Sequence, residues 1–261
     1  MHPECFPSAG HVVLSRLKNI IASERFILAG GTALALQIGH RISEDLDFFT
    51  EKTFSTDNIF QKIKRAGLAP AILQEEEGTL VLIVNNTKVT PFPKGGLGGI
   101  KVTPRPTPLG VGAPKGAGLP LPRSIATGSG GIKVSFFRYA YPFIEEITAF
   151  HGIRLANVVD IAPMKVIAIS QRGAKRDFID LWFILQTIPF WKIVENMAAR
   201  FGKDRINPVN IGKSLVYFND AEEDPEPKYP GKIKPEWKAV KKFFIGRVKQ
   251  MVLDMETGRG K

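Results

Sequence analysis

The sequence predicts an α+β chain in which a small sheet is built first and a helical half follows. Three observations predict it. The strand candidates all lie before residue 140, apolar residues recur at helical spacing after residue 150, and a single break in composition interrupts the first part.

Val13, Leu14, Leu17, Ile20 and Ile21 fall on one helical face. Phe26–Ala29 reads as a short buried strand, Ala33–Ile38 as a helix and Leu46–Phe49 as a second strand. Ser55–Ala66 has a serine start, helical spacing of Ile59, Phe60 and Ile63, and Gly67 as its stop. Thr79–Val84 and Lys133–Tyr139 are further strands. Asp160 is expected to cap a helix with Pro163 in its first turn, running to about Gln171. Helices follow near Lys175–Gln186, Trp191–Phe201, Val209–Tyr217 and Glu236–Leu253, the last two separated by the acidic, proline-rich stretch Asp220–Pro230. The expected division is therefore 1–150, interrupted at about 90–131, and 151–261.

The interruption is sharp. Residues 91–130 hold 8 Pro, 10 Gly and five basic residues with no acid, too little apolar surface to offset the entropy of ordering them. Its borders repeat: Thr87-Lys88-Val89-Thr90, Ile100-Lys101-Val102-Thr103 and Ile132-Lys133-Val134-Ser135. We read it as an insertion that duplicated its border inside a hairpin connection, with a flexible basic arm that touches RNA as the functional alternative.

The chain has 261 residues and a formal charge of +11. That surplus favours an anionic partner, although five of the charges lie in the insertion. No apolar run reaches the ~20 residues of a spanning helix, so no membrane association is expected. Met1–Gly10 has no charged stretch leading into an apolar one, so no signal peptide is expected. A single cysteine, Cys5, excludes an internal disulfide framework and fits a cytoplasmic location. With four scattered histidines, a zinc site is not expected.

Three groups of residues could carry chemistry. In the first, the strand ending at Ala29 runs into Gly30-Gly31-Thr32 and then a helix. Glycines let a phosphate approach the backbone, and a helix start offers free N–H groups; a plain turn would look the same. In the second, Asp45 and Asp47 are two apart at the start of a strand, so they share a face, ~6–7 Å apart along the chain. Carboxylates so placed repel unless a cation lies between them, and Mg²⁺ suits such oxygens; a solvated turn is the bland alternative. The third lies on the helical half: Lys165, Arg172, Lys175, Arg176, Asp177 and Asp180. Lys165 and Arg172 share a helical stripe, ~10 Å apart. The bland reading is a snorkelling lysine and an Arg176–Asp180 surface pair.

The strings GGTALALQIGHRISEDLDFFT, VSFFRYAYPF, MKVIAISQRGAKRDFIDLWFIL and SLVYFNDAEEDPEP together resemble the AbiEii/AbiGii toxin family of nucleotidyltransferases, within the polymerase-beta-like superfamily. The resemblance implies a small mixed-sheet nucleotidyltransferase core, a helical C-terminal half and the toxin arm of a toxin–antitoxin or phage abortive-infection system. It implies Mg²⁺, a nucleoside triphosphate (NTP) donor, a cognate antitoxin and an RNA acceptor, tRNA in some members, with pyrophosphate released. Gly30, Gly31 and Thr32 then match the nucleotide-binding turn, and Asp45 and Asp47 the metal pair. Lys165 matches the later basic position and Asp177 its acidic partner, either accepting the proton of the attacking hydroxyl or orienting a basic residue. Arg172 and Arg176 join the nucleotide-binding set, and Asp180 lies in the same motif. The sequence departs from the superfamily pattern in two places: Val134–Tyr139 lacks the third metal-binding carboxylate common there, and the Gly/Pro-rich insertion abuts a core strand. Two other classes stay open: an inactive nucleic-acid-binding homologue, and a transferase that modifies a protein hydroxyl.

Overall fold

The computed structural model describes residues 1–85, 131–231 and 234–258. After a 3₁₀ turn at Pro3–Cys5 come α1 (Ser8–Ser23), β1 (Ile27–Ala29), α2 (Gly30–Ile38), β2 (Leu46–Thr50), α3 (Thr56–Arg65), β3 (Ala69–Glu76) and β4 (Thr79–Asn85). Then follow β5 (Ile132–Arg138), β6 (Thr148–Phe150), β7 (Ile153–Leu155), α4 (Val158–Arg172), α5 (Lys175–Ile184), α6 (Phe190–Phe201), α7 (Pro208–Leu215), α8 (Asn219–Glu222) and α9 (Trp237–Thr257). The strands form one seven-stranded mixed sheet in the order β3-β4-β5-β2-β1-β7-β6. The expected α+β class, sheet first and helices second, is what the molecule adopts.

The insertion reading falls on residues outside those described. Its flanks do not: β4 and β5 are antiparallel neighbours, with Val84 opposite Ile132, as the hairpin reading requires.

Alternation along β2 and β5 divides the sheet into an apolar and a mixed face. Leu46 and Phe48 on β2 pair in parallel with Val134 and Phe136 on β5, and Phe26, Phe48 and Phe136 are fully buried and in mutual ring contact through Phe136. The opposite set pairs Asp47 with Ser135 and Phe49 with Phe137. The mixed face is thus apolar at one end and polar at the other.

The cap of α4 differs from expectation. Asn157 is the N-cap, its side chain accepting from Val159 N–H at 3.0 Å. Asp160 lies inside the first turn, fully buried, and accepts from Glu145 N–H at 2.9 Å and Asn196 Nδ2 at 2.9 Å. It fastens the 144–145 loop to α6 rather than capping a helix, and Pro163 falls within the helix instead of its first turn. Strand β3 was not legible because Pro70 and a register shift between Ile72 and Gln74 break its alternation. Strands β6 and β7 have three residues each, too few to show a period.

Candidate active site

The site is built where α2 leaves β1. Gly30 has φ +66, and a Cβ there would lie 3.0 Å from Asp47 Oδ2. A Cβ on Gly31 would lie 2.4 Å from Arg41 Nη2 and 3.1 Å from Ser43 Oγ. Both glycines are therefore required by close approach of the 41–47 segment, whatever else they bind. Thr32 is buried and its hydroxyl bonds the Asp45 carbonyl, with Ser43 Oγ at 2.9 Å. A hydroxyl has one proton; the carbonyl can only accept, so Thr32 donates there and accepts from Ser43. The threonine thus braces the segment that carries Asp45.

Asp45 precedes β2 and Asp47 lies within it. Asp45 Oδ2 faces two cations, Arg176 Nη1 at 3.5 Å and Lys133 Nζ at 3.9 Å. Asp47 Oδ1 is buried with no hydrogen-bond partner among the described residues. An orphaned carboxylate oxygen is costly to bury, and beside a second carboxylate it is a hard oxygen donor suited to Mg²⁺. The donor set therefore fits a divalent cation, which Asp45 and Asp47 would hold. No group of three or more His, Cys, Asp or Glu side chains placed to hold a metal occurs among the described residues.

The later motif closes from α4 and α5. Lys165 and Arg172 do share a stripe, and both reach Asp177: Lys165 Nζ at 3.0 Å, Arg172 Nε at 2.7 Å and Arg172 Nη2 at 3.0 Å. Lys165 also bonds Asp180 Oδ2 at 2.8 Å. Asp180 takes two parallel bonds from Arg41, at 2.6 and 2.9 Å, and one from His40 Nε2 at 2.7 Å. Both aspartates are fully buried. Burial alone would raise their pKa values, but Arg172 and Lys165 hold Asp177, and Arg41, Lys165 and His40 hold Asp180, far below the ordinary carboxylate range. Burial pushes the His40 pKa down despite its bond to Asp180; because an ionised carboxylate can only accept, His40 Nε2 donates in that bond. The Arg176–Asp180 surface pair does not form: Asp180 is enclosed, and Arg176 turns to Asp45 instead.

The structure links Asp45 to Arg176, and Lys165 and Arg172 to Asp177, with Lys165 also on Asp180; Lys175 turns away, its backbone N–H on Asp224 Oδ2 at 2.9 Å and its Nζ on the Asp224 carbonyl at 3.0 Å. Sequence reasoning missed His40, Arg41, Ser43, Lys133 and Ser135. His40-Arg41 lay in a string already noticed, but nothing local shows that they reach Asp180, 139 and 140 positions later. Lys133 is inside a border repeat and read as strand filler.

The fold is shared with solved proteins. JHP933 of Helicobacter pylori superposes with TM-score 0.52 at 18% identity over 95% of this chain and 92% of that one. MenT4, a nucleotidyltransferase toxin of Mycobacterium tuberculosis H37Rv, superposes with TM-score 0.52 at 14% identity over 96% and 87%. An uncharacterized protein of Aquifex aeolicus (strain VF5) is 34% identical over 232 residues, covering 86% of this chain and 87% of its own. Residues 12–250 match the family model described as the nucleotidyl transferase AbiEii toxin of type IV toxin–antitoxin systems. That match spans most of the chain, so the chain belongs to the AbiEii family of nucleotidyltransferase toxins.

Proposed function

We propose that this nucleotidyltransferase transfers a nucleotide from an NTP to an RNA acceptor, with tRNA the first candidate, in a Mg²⁺-dependent reaction that releases pyrophosphate. Family membership supplies the NTP donor and the cognate antitoxin. The observation that carries the metal-dependent part is the orphaned Asp47 Oδ1 beside Asp45, directly under the Gly30-Gly31-Thr32 turn. Mg²⁺ there would neutralise phosphate charge in the transition state. The backbone N–H groups at the start of α2 are available for the β- and γ-phosphates. Thr32 keeps Asp45 in place, and Arg176 lies 3.5 Å from the Asp45 carboxylate.

Lys165, Arg172 and Arg176 bring positive charge to the triphosphate. Two of the three ammonium donors of Lys165 are held by Asp177 and Asp180, which leaves one. Asp177 is a poor proton acceptor, because two cations hold it ionised. Its role is therefore to orient Lys165 and Arg172. The halves 1–150 and 151–261 act as one unit: the first supplies the metal pair, the second the cations. No helix among the described residues is long and apolar enough to cross a membrane; we place the reaction in the cytoplasm, where NTP and RNA are both present.

The RNA acceptor rests on the basic balance of the chain. It is tested by incubating the protein with each labelled NTP and Mg²⁺, with total cellular RNA in one reaction and protein extract in another. Label in RNA supports the reading, and label confined to protein replaces it with a protein-hydroxyl acceptor.

A further inference from the structure

Lys133 is a charged side chain in an unusual place. It lies on β5 with only 3% of its surface exposed. The β2–β5 register runs in parallel with Leu46 beside Val134 and Asp47 beside Ser135. One step back, the same register brings Lys133 beside Asp45, and the 3.9 Å separation of Lys133 Nζ from Asp45 Oδ2 agrees. Residues in register on neighbouring strands share a face, so Lys133 and Ser135 project where Asp45 and Asp47 do. On the far side, β4 places Ile83 beside Lys133 and Val81 beside Ser135, both buried. Lys133 thus has buried apolar neighbours on one strand and the Asp45 carboxylate on the other.

The charges around that pair are unevenly shared. Asp45 Oδ2 has Lys133 and Arg176 within 4 Å, while Asp47 Oδ1 accepts no hydrogen bond among the described residues and feels the Arg172 charge from farther off. Two protein cations thus already stand beside Asp45 before any metal enters. A site that clamps phosphoryl transfer with two metals holds them ~3.5–4 Å apart on bridging carboxylates. Here a fixed cation occupies the neighbouring position on β5, and the next residue on that face, Ser135, is a hydroxyl rather than a carboxylate.

We propose that the site holds one divalent cation, not two, and that the Lys133 ammonium supplies the second positive charge facing the triphosphate. This rests on the reading of Asp45 and Asp47 as the metal pair. It makes Lys133 a catalytic residue of the transfer reaction, a role its strand position alone would not give it.

The test counts metal directly. Mn²⁺ is titrated into the full chain with a non-hydrolysable NTP analogue, and the bound metal is read by electron paramagnetic resonance. The expected result is one bound Mn²⁺ per chain with an uncoupled six-line spectrum, even with Mn²⁺ in excess. Lys133→Asp should raise the count to two and give a spin-coupled pair. Lys133→Met should keep the count at one, tighten Mn²⁺ binding severalfold by removing a like charge, and cut turnover at least tenfold, with Lys133→Arg recovering part of it. Two coupled Mn²⁺ in the wild-type chain overturns the inference alone, whether or not the variants fold. Lys133→Met with full turnover and unchanged Mn²⁺ affinity also overturns it. No bound Mn²⁺, or one that survives Asp47→Asn, overturns it together with the reading it rests on.

Discussion

Arg41 grips Asp180 through two parallel hydrogen bonds, 2.6 and 2.9 Å long, across 139 positions of sequence. The pair fastens the segment that leads into Asp45 and Asp47 to the helix that carries Asp177. Both partners are buried, so breaking one leaves an uncompensated charge. Arg41→Met should destabilise the fold by about 3–5 kcal/mol, read as a lower urea midpoint. Arg41→Lys should not rescue it, because a single ammonium cannot reproduce the planar fork. Gly31→Ala should act through the same guanidinium. Its Cβ would lie 2.4 Å from Arg41 Nη2, and an arginine pinned on Asp180 cannot swing aside cheaply. A loss of roughly 1–3 kcal/mol is expected.

The Asp45 and Asp47 carboxylates should differ in what they do for stability. Asp47→Asn removes a like-charge neighbour of Asp45 and leaves no cation unpaired, so the melting temperature should hold or rise. Asp45→Asn takes the carboxylate away from buried Lys133 and from Arg176, so the melting temperature should fall. Thermal denaturation of both variants without metal checks the contrast.

Acid should weaken the fold in two stages. Burial lowers the His40 pKa in the folded protein, so below about 6.5 the unfolded chain takes up a proton that the folded one refuses. Stability should therefore begin to decline there. Asp177 and Asp180 have folded pKa values depressed below the unfolded range. Their contribution is present above about pH 4 and lost progressively as pH falls further. Urea midpoints from pH 8 to pH 3 should show a shallow slope and then a steep one.

How much of this was legible in the sequence depends on distance along the chain. The Gly30-Gly31-Thr32 turn and the Asp45–Asp47 pair are local patterns, and spacing alone gave their faces. The Lys165–Arg172 stripe was local too, and both side chains do meet one carboxylate. What spacing could not give was the partner of each charge. Asp180 looked like half of a surface i, i+4 pair, but tertiary packing buried it under His40 and Arg41. Lys133 became meaningful only once the β2–β5 register was known, since nothing within a parallel strand states which residue of a distant strand lies beside it. Asp160 failed as a cap for the same reason: its partners, Glu145 and Asn196, come from other elements.

Removing residues 91–130 should leave the fold intact. β4 and β5 already pair as far as Val84 opposite Ile132, so a short turn can join them. Loop closure changes by only about 1–3 kcal/mol over such a length difference. A deletion variant should melt cooperatively at an equal or higher temperature; one that cannot fold would refute the insertion reading.

The central claim is that Asp45 and Asp47 form the metal-dependent centre of a nucleotidyltransferase acting on RNA. The most direct test follows transfer of α-labelled NTP into total RNA, with Mg²⁺ or with chelator, for the wild-type chain and for Asp47→Asn. The account predicts labelled RNA from the wild-type chain with Mg²⁺ only, and none from a folded Asp47→Asn protein. Labelling that persists in Asp47→Asn, or that proceeds equally in chelator, would contradict it.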